Sequence, residues 1–211
     1  MQRMAVNDYE FITKWRVDGT VEEVYDTISD AEGLARWWPS VYLSAMIVDA
    51  GDHDGIGKVV DLHTKGFLPY TLRWSMTITE ADRKRGHISL DAHGDFEGAG
   101  IWTLVQDGNT VDITYDWRIR ADKPLLKNLS FAMKPFFAAN HRWAMAKGLE
   151  SLKLELLRRR ATSSAELEAV PSPPPATTVD PKAAAVVGGG VLAAVAAVII
   201  GAVVKRRKRD N

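Results

Sequence analysis

Residues 110–120 read TVDITYDWRIR, and their alternation decides the fold. Val111, Ile113, Tyr115, Trp117 and Ile119 point one way; Asp112, Thr114, Asp116, Arg118 and Arg120 point the other. Period-two alternation marks an antiparallel strand with one buried and one wet face. Residues 70–80, YTLRWSMTITE, repeat it, with Tyr70, Leu72, Trp74, Met76 and Ile78 opposite Thr71, Arg73, Ser75, Thr77 and Thr79. In 87–95, HISLDAHGD, the apolar set is Ile88, Leu90 and Ala92. VYLSAMIVDAG (41–51), GKVVDLHTKG (57–66) and GIWTLVQDGN (100–109) read as further strands, closed by glycine and Asp-Gly-Asn turn signals. YEFITKWRVDG (9–19) opens the sheet, which therefore has seven strands.

Helical patterns flank the strands. TVEEVYDTISD (20–30) starts with a capping box, Thr20 with Glu23 three residues on. A second short helix follows in DAEGLARWWP (30–39), where Leu34 and Trp37 share a face. Pro39 stops it and pushes Trp38 toward an extended backbone, so the two tryptophans are expected to diverge. After the last strand, Pro124 opens a helical turn and Pro135 restarts a longer helix. Its apolar stripe is His141, Met145, Gly148, Leu149, Leu152 and Leu156. The basic last turn, RRR at 158–160, suits the helix dipole. The fold class is α+β.

Composition sets further bounds. The 211 residues carry 27 basic and 27 acidic side chains, so nothing overall points to nucleic acid. The balance hides a basic end, KRRKR at 205–209, on a mildly acidic body. Absence of cysteine excludes disulfides, thiolate metal sites and cysteine nucleophiles. Residues 1–160 read as one globular domain. Residues 161–182, ATSSAELEAVPSPPPATTVDPK, cannot bury enough apolar surface to order themselves and read as a disordered proline-rich linker. Residues 183–204 carry no charge. As a helix they would extend roughly 33 Å, enough to span a hydrocarbon core. Residues 205–209, beside that span, fit lipid headgroups better than nucleic acid. Ala185, Gly189, Ala193, Ala197 and Gly201 recur every four residues, a spacing that permits weak self-association. The basic tail argues for a cytoplasmic C-terminus by the positive-inside rule. The N-terminal MQRMAVNDYEF lacks a secretory h-region, which argues for a cytoplasmic domain. The expectation is a single-pass C-terminal anchor with the domain in the cytoplasm.

At SDAEGLARWWPSVY, GIWTL…GNTVDITYDW and NHRWAMAKGLESLKLEL the chain resembles the START-like polyketide cyclase/dehydrase and lipid transport superfamily, SRPBCC. The likeness covers roughly residues 9–160, and its motifs specify architecture rather than activity. It implies the helix-grip fold, a curved seven-stranded antiparallel sheet around a long C-terminal helix, with a deep apolar cavity between them. Members bind lipids, sterols, polyketides or hormones, some are cyclases, and relatives activate a heat-shock ATPase. The resemblance implies that Trp38, Tyr42, Tyr70, Leu72, Trp74, Met76, Leu90, Tyr115, Trp117, Phe137, His141 and Met145 line that cavity. No family catalytic motif matches, so no catalytic residue carries over.

The other polar candidates have plainer readings. His53 falls in a turn; His63, His87 and His93 fall on the wet strand face, beside Asp61 and Asp91. No metal or cofactor is expected. His141 differs, because it lies on the apolar stripe of the long helix. It is either a core histidine bonded to a neighbour or a polar handle in the cavity, with Tyr70 or Tyr115 as partner. Gly98 and Gly100 lack the strand–glycine–helix setting of a phosphate loop. The expected function is membrane-tethered binding or transfer of a hydrophobic small molecule or lipid. The alternatives are a cyclase or dehydratase using His141 for acid–base work in the same cavity, and a regulatory or chaperone-partner module.

Overall fold

The computed structural model describes residues 8–68, 70–121 and 124–177. The strands are β1 (Asp8–Asp18), β2 (Tyr42–Asp49), β3 (Val59–Lys65), β4 (Thr71–Asp82), β5 (His87–Gly94), β6 (Phe96–Asp107) and β7 (Thr110–Ala121). Between β1 and β2 lie α1 (Val21–Ile28) and α2 (Leu34–Trp37); after β7 come α3 (Pro124–Arg160) and α4 (Ser164–Ala169). One curved antiparallel sheet has the order β1-β7-β6-β5-β4-β3-β2. Strands β2 to β7 are a meander of neighbours, and β1 closes on β7 along its whole length, from Asp8↔Arg120 to Asp18↔Thr110. The pair α1–α2 therefore carries the chain from one edge of the sheet to the other.

Register decides which face is buried. Trp117 pairs with Phe11 on one side and Gly100 on the other, so all three share the inner face. Trp15, Val60, Leu62, Trp74, Met76, Leu90, Trp102, Ile113, Tyr115 and Trp117 are buried there, as the alternation of their segments requires. Along α3, Met145, Leu152 and Leu156 are buried in the same core. Each such burial is worth about 1.5–3 kcal/mol.

The two tryptophans at the end of α2 do not diverge. Trp37 and Trp38 are both buried, with ring centroids 5.5 Å apart. Pro39 ends the helix as expected, but Trp38 stands at φ −126°, ψ 52°, and its indole lies across α3 at Gly148. A Cβ at Gly148 would sit 2.3 Å from Trp38 Cζ2, so only glycine admits the indole. Nor does Pro135 restart a helix: α3 runs unbroken through it. Proline removes one backbone hydrogen bond, and the packing of the following turns onto the sheet offsets that loss.

The segment read as a disordered linker carries structure in its first part. Ser163 caps α4 in a reciprocal capping box with Glu166, and the Pro171 carbonyl accepts from Arg158 Nη2 at 2.8 Å. The expected anchor at 183–204 and its basic tail lie outside the described residues. Among the described residues, no helix is long and apolar enough to cross a membrane.

A buried carboxylate locks the two ends of the fold together. Glu155 on α3 is 1% exposed. It accepts from Arg36 Nη1 at 2.8 and 2.9 Å, Arg159 Nε at 2.9 Å and Arg158 Nη1 at 3.3 Å. Arg36 and Arg159 also reach Asp30, in the turn between α1 and α2. This cluster fixes α1–α2 against the last turns of α3, and with them one wall of the interior.

Candidate ligand-binding site

Between α3 and the sheet, the interior is divided into two chambers. The inner chamber, about 140 Å³, lies under the middle of α3, from Phe137 to Met145, against β1, β7 and the β3–β4 turn. The outer chamber, about 290 Å³, lies under α1 and α2, against β4 and β5, and opens at the β2–β3 loop. Five side chains line both: Trp38, Tyr42, Trp74, Trp102 and Tyr115.

These five belong to a continuous aromatic belt. Trp102 stacks on Tyr115 at 4.0 Å, and Tyr115 on Trp117 at 5.6 Å. Trp117 meets Trp74 at 5.7 Å, and Trp15 bridges Trp102 and Trp38 at 5.5 and 5.8 Å. Trp38 meets Tyr42 edge-on at 5.3 Å. Such pairs add about 0.5–1.5 kcal/mol each beyond their area, so the belt is a stiff wall. Trp74 is fixed further by donating its Nε1–H to Thr64 Oγ1 at 3.1 Å. The buried Trp38 Nε1–H has no hydrogen-bond partner among the described residues, which leaves a donor beside the chambers.

Polar groups in the inner chamber are few and almost all neutral. Burial raises the phenol pKa of Tyr9, Tyr42, Tyr70 and Tyr115 above the ordinary value, so all four stay protonated. His141 stacks on Phe11 at 4.2 Å, and its Nε2 shares a 3.3 Å hydrogen bond with Thr13 Oγ1. Burial first, and Arg142 beside it second, push the imidazole down to about 4, so it is neutral at physiological pH. Lys65, half-buried at the end of β3, is a cationic side chain among the described lining residues.

Asn140, directly before His141 in the sequence, holds the rim. Its Oδ1 accepts from the backbone N–H of Phe67 at 2.9 Å and of Leu68 at 3.4 Å, which ties the β3–β4 turn to α3. Gly66 permits this approach, since a Cβ there would lie 2.0 Å from that oxygen.

Of the residues expected to line a cavity, Trp38, Tyr42, Tyr70, Leu72, Trp74, Tyr115, Trp117, Phe137, His141 and Met145 surround the inner chamber. Met76 and Leu90 face the outer chamber instead, because their strand positions lie under α1 and α2. The suggested tyrosine partners of His141 are replaced by Thr13. Sequence reading missed Tyr9, Phe11, Trp102 and Asn140. The first three continue the alternation of Trp15 and Leu104; Asn140 has no such signal. The strand histidines stay on the wet face: His87 pairs with Ser89 at 2.9 Å and His93 with Glu97 at 3.0 Å. Among the described residues, no three His, Cys, Asp or Glu side chains converge as a metal site would need.

Comparison with solved structures shows the same fold at low identity. A protein from Thermus thermophilus superimposes with a TM-score of 0.62 at 16% identity, covering 72% of this chain and 100% of its own. The Zhui aromatase/cyclase of a Streptomyces species gives 0.58 at 17%, covering 74% and 98%. A START superfamily protein from Mycobacterium smegmatis gives 0.53 at 15%, covering 68% and 98%. Comparison with curated protein sequences finds no match. The family described as polyketide cyclase/dehydrase and lipid transport matches residues 10–156, nearly the whole of the sheet and α3. With a helix gripped by a seven-stranded sheet over an aromatic interior, this chain belongs to the polyketide cyclase/dehydrase and lipid transport family.

Proposed function

We propose that this protein binds a small, uncharged, largely apolar molecule bearing a hydroxyl or carbonyl group, beside a membrane to which residues 183–204 tether it. The observation that carries this reading is the inner chamber: an aromatic-walled space whose polar groups are phenols, a threonine, an amide and a neutral imidazole, with Lys65 as its cation. A charge placed among them costs several kcal/mol unless paired, whereas a hydroxyl or carbonyl finds both donors and acceptors. The chamber's size supports a single-ring head, since a cavity of about 150 Å³ accepts benzene.

The cyclase or dehydratase reading receives less support. A general base works best with a pKa near the operating pH, and His141 is held far below it. Its hydrogen-bond partner is the Thr13 hydroxyl rather than a carboxylate that would raise its basicity. The membrane part of the proposal rests on the uncharged run 183–204; the domain is placed in the cytoplasm, which sets residues 205–211 at the far surface against the positive-inside bias, with weak pairing of the small-residue stripe.

Tryptophan-fluorescence titration tests the binding reading. 4-Methylphenol should quench saturably at one equivalent, while 4-methylbenzoate and 4-methylbenzylammonium bind at least tenfold more weakly. Equal binding of all three would overturn it. Deleting 183–211 should move the protein from the membrane to the soluble fraction; retention on membranes would remove the tether.

A further inference from the structure

The outer chamber has no part in the reading above, yet it shares a wall with the inner one. Among the described residues, Trp38, Tyr42, Trp74, Trp102 and Tyr115 line both spaces. Four of the five are braced. Trp74 is bonded to Thr64, Trp102 and Tyr115 are stacked on each other, and Trp38 is seated on Gly148. Tyr42 is different. It comes from β2, which pairs with β3 alone and forms the edge of the sheet. The β2–β3 register shifts between Tyr42 and Ser44, so the backbone that carries this ring is irregular. Among the described residues its ring contact is edge-on to Trp38.

The two volumes are also unequal in chemistry. The inner chamber, about 140 Å³, holds one ring and carries the hydroxyl and imidazole groups. The outer chamber is twice as large, about 290 Å³. Its floor is Leu34, Met76, Ile78, Ile88 and Leu90, and its mouth is polar, with Asp52, His53, Asp54 and Lys58. The apolar floor suits a flexible chain, and the polar mouth, with Tyr25 and Ser29 also in the lining, leaves that chain's far end in a polar setting.

We infer that the two chambers form one bipartite site for an elongated amphiphile, a hydroxylated ring in the inner chamber and an alkyl chain passing Tyr42 into the outer one. The ligand class is the long-chain phenols and their ring analogues. This rests on the inner-chamber reading and extends it to the length and polarity of the occupant.

The test is a 4-alkylphenol series, from 4-methylphenol to 4-heptylphenol, titrated into the full chain with 13C-labelled methionine methyls. Met145 lines the inner chamber and Met76 the outer, so each reports one of them. 4-Methylphenol should shift Met145 alone. Longer chains should shift Met76 as well, with Kd falling about fourfold per added methylene once the ring is seated. Leu90→Phe, which narrows the outer chamber without filling it, should reduce the gain from chain length while 4-methylphenol still shifts Met145; that shift also shows the variant folded. A shift at Met145 with Kd flat or rising along the series, and Met76 unmoved, overturns the bipartite site alone. No shift at Met145 with any member overturns the inner-chamber reading and this inference with it.

Discussion

His141 provides a sharp test of how the interior is built. Its imidazole is pushed from the ordinary 6.5 down to about 4, by burial first and by Arg142 second. Between those values the unfolded chain takes up a proton that the folded protein refuses. The stabilising contribution is therefore fully present above pH 6.5 and is lost as pH falls toward 4. A shift of that size corresponds to about 3 kcal/mol, at 1.36 kcal/mol per unit. The comparison is wild type against His141→Gln, which keeps a neutral polar side chain of similar reach to Thr13. Carboxylate titration is common to both proteins, so it cancels in the difference. Urea unfolding at pH 7.5, 5.5 and 4.2 should show the wild type losing about 3 kcal/mol more than the variant across that range. Parallel stability curves would refute the reasoning, because they would mean that His141 is protonated as easily inside the fold as outside it.

Four further substitutions probe the frame around the chambers. Trp74→Ala or Trp117→Ala should each cost about 3–5 kcal/mol in chemical denaturation, since both are buried on the inner face; a neutral result would mean the sheet's faces are reversed. Gly148→Ala raises intrinsic helix propensity by about 1 kcal/mol, yet it should destabilise by about 1–3 kcal/mol because the new methyl meets Trp38. A stabilised variant would show that Trp38 does not lie on α3. Glu155→Ala should cost about 3 kcal/mol, because Arg36, Arg158 and Arg159 lose a shared acceptor; an unchanged melting temperature would show that the cluster is ornamental.

Much of this was legible in the chain before any coordinates. Alternation in 70–80 and 110–120 fixed the inner face of β4 and β7, because a half-buried strand leaves no freedom in which side chain faces the core. It also brought most of the cavity wall with it, from Tyr70 to Trp117. What stayed hidden was set by contacts distant in sequence. Trp38 turns inward because Gly148, 110 residues later, leaves room for it. Asn140 looks like an ordinary surface amide until the β3–β4 turn is placed against it. Met76 and Leu90 carry the same inward signal as Trp74, and only the position of α1 and α2 assigns them to the second chamber. The continuity of α3 through Pro135 is likewise not what local propensity predicts.

The central claim is that the inner chamber receives an uncharged ring. The methionine methyls test it directly, because Met145 lines that chamber and Met46 is 61% exposed on β2. In a titration of the full chain with 4-methylphenol, the account predicts a saturable one-to-one shift of the Met145 methyl while Met46 stays fixed. A still Met145, or a shift of Met46 that does not saturate, would contradict it.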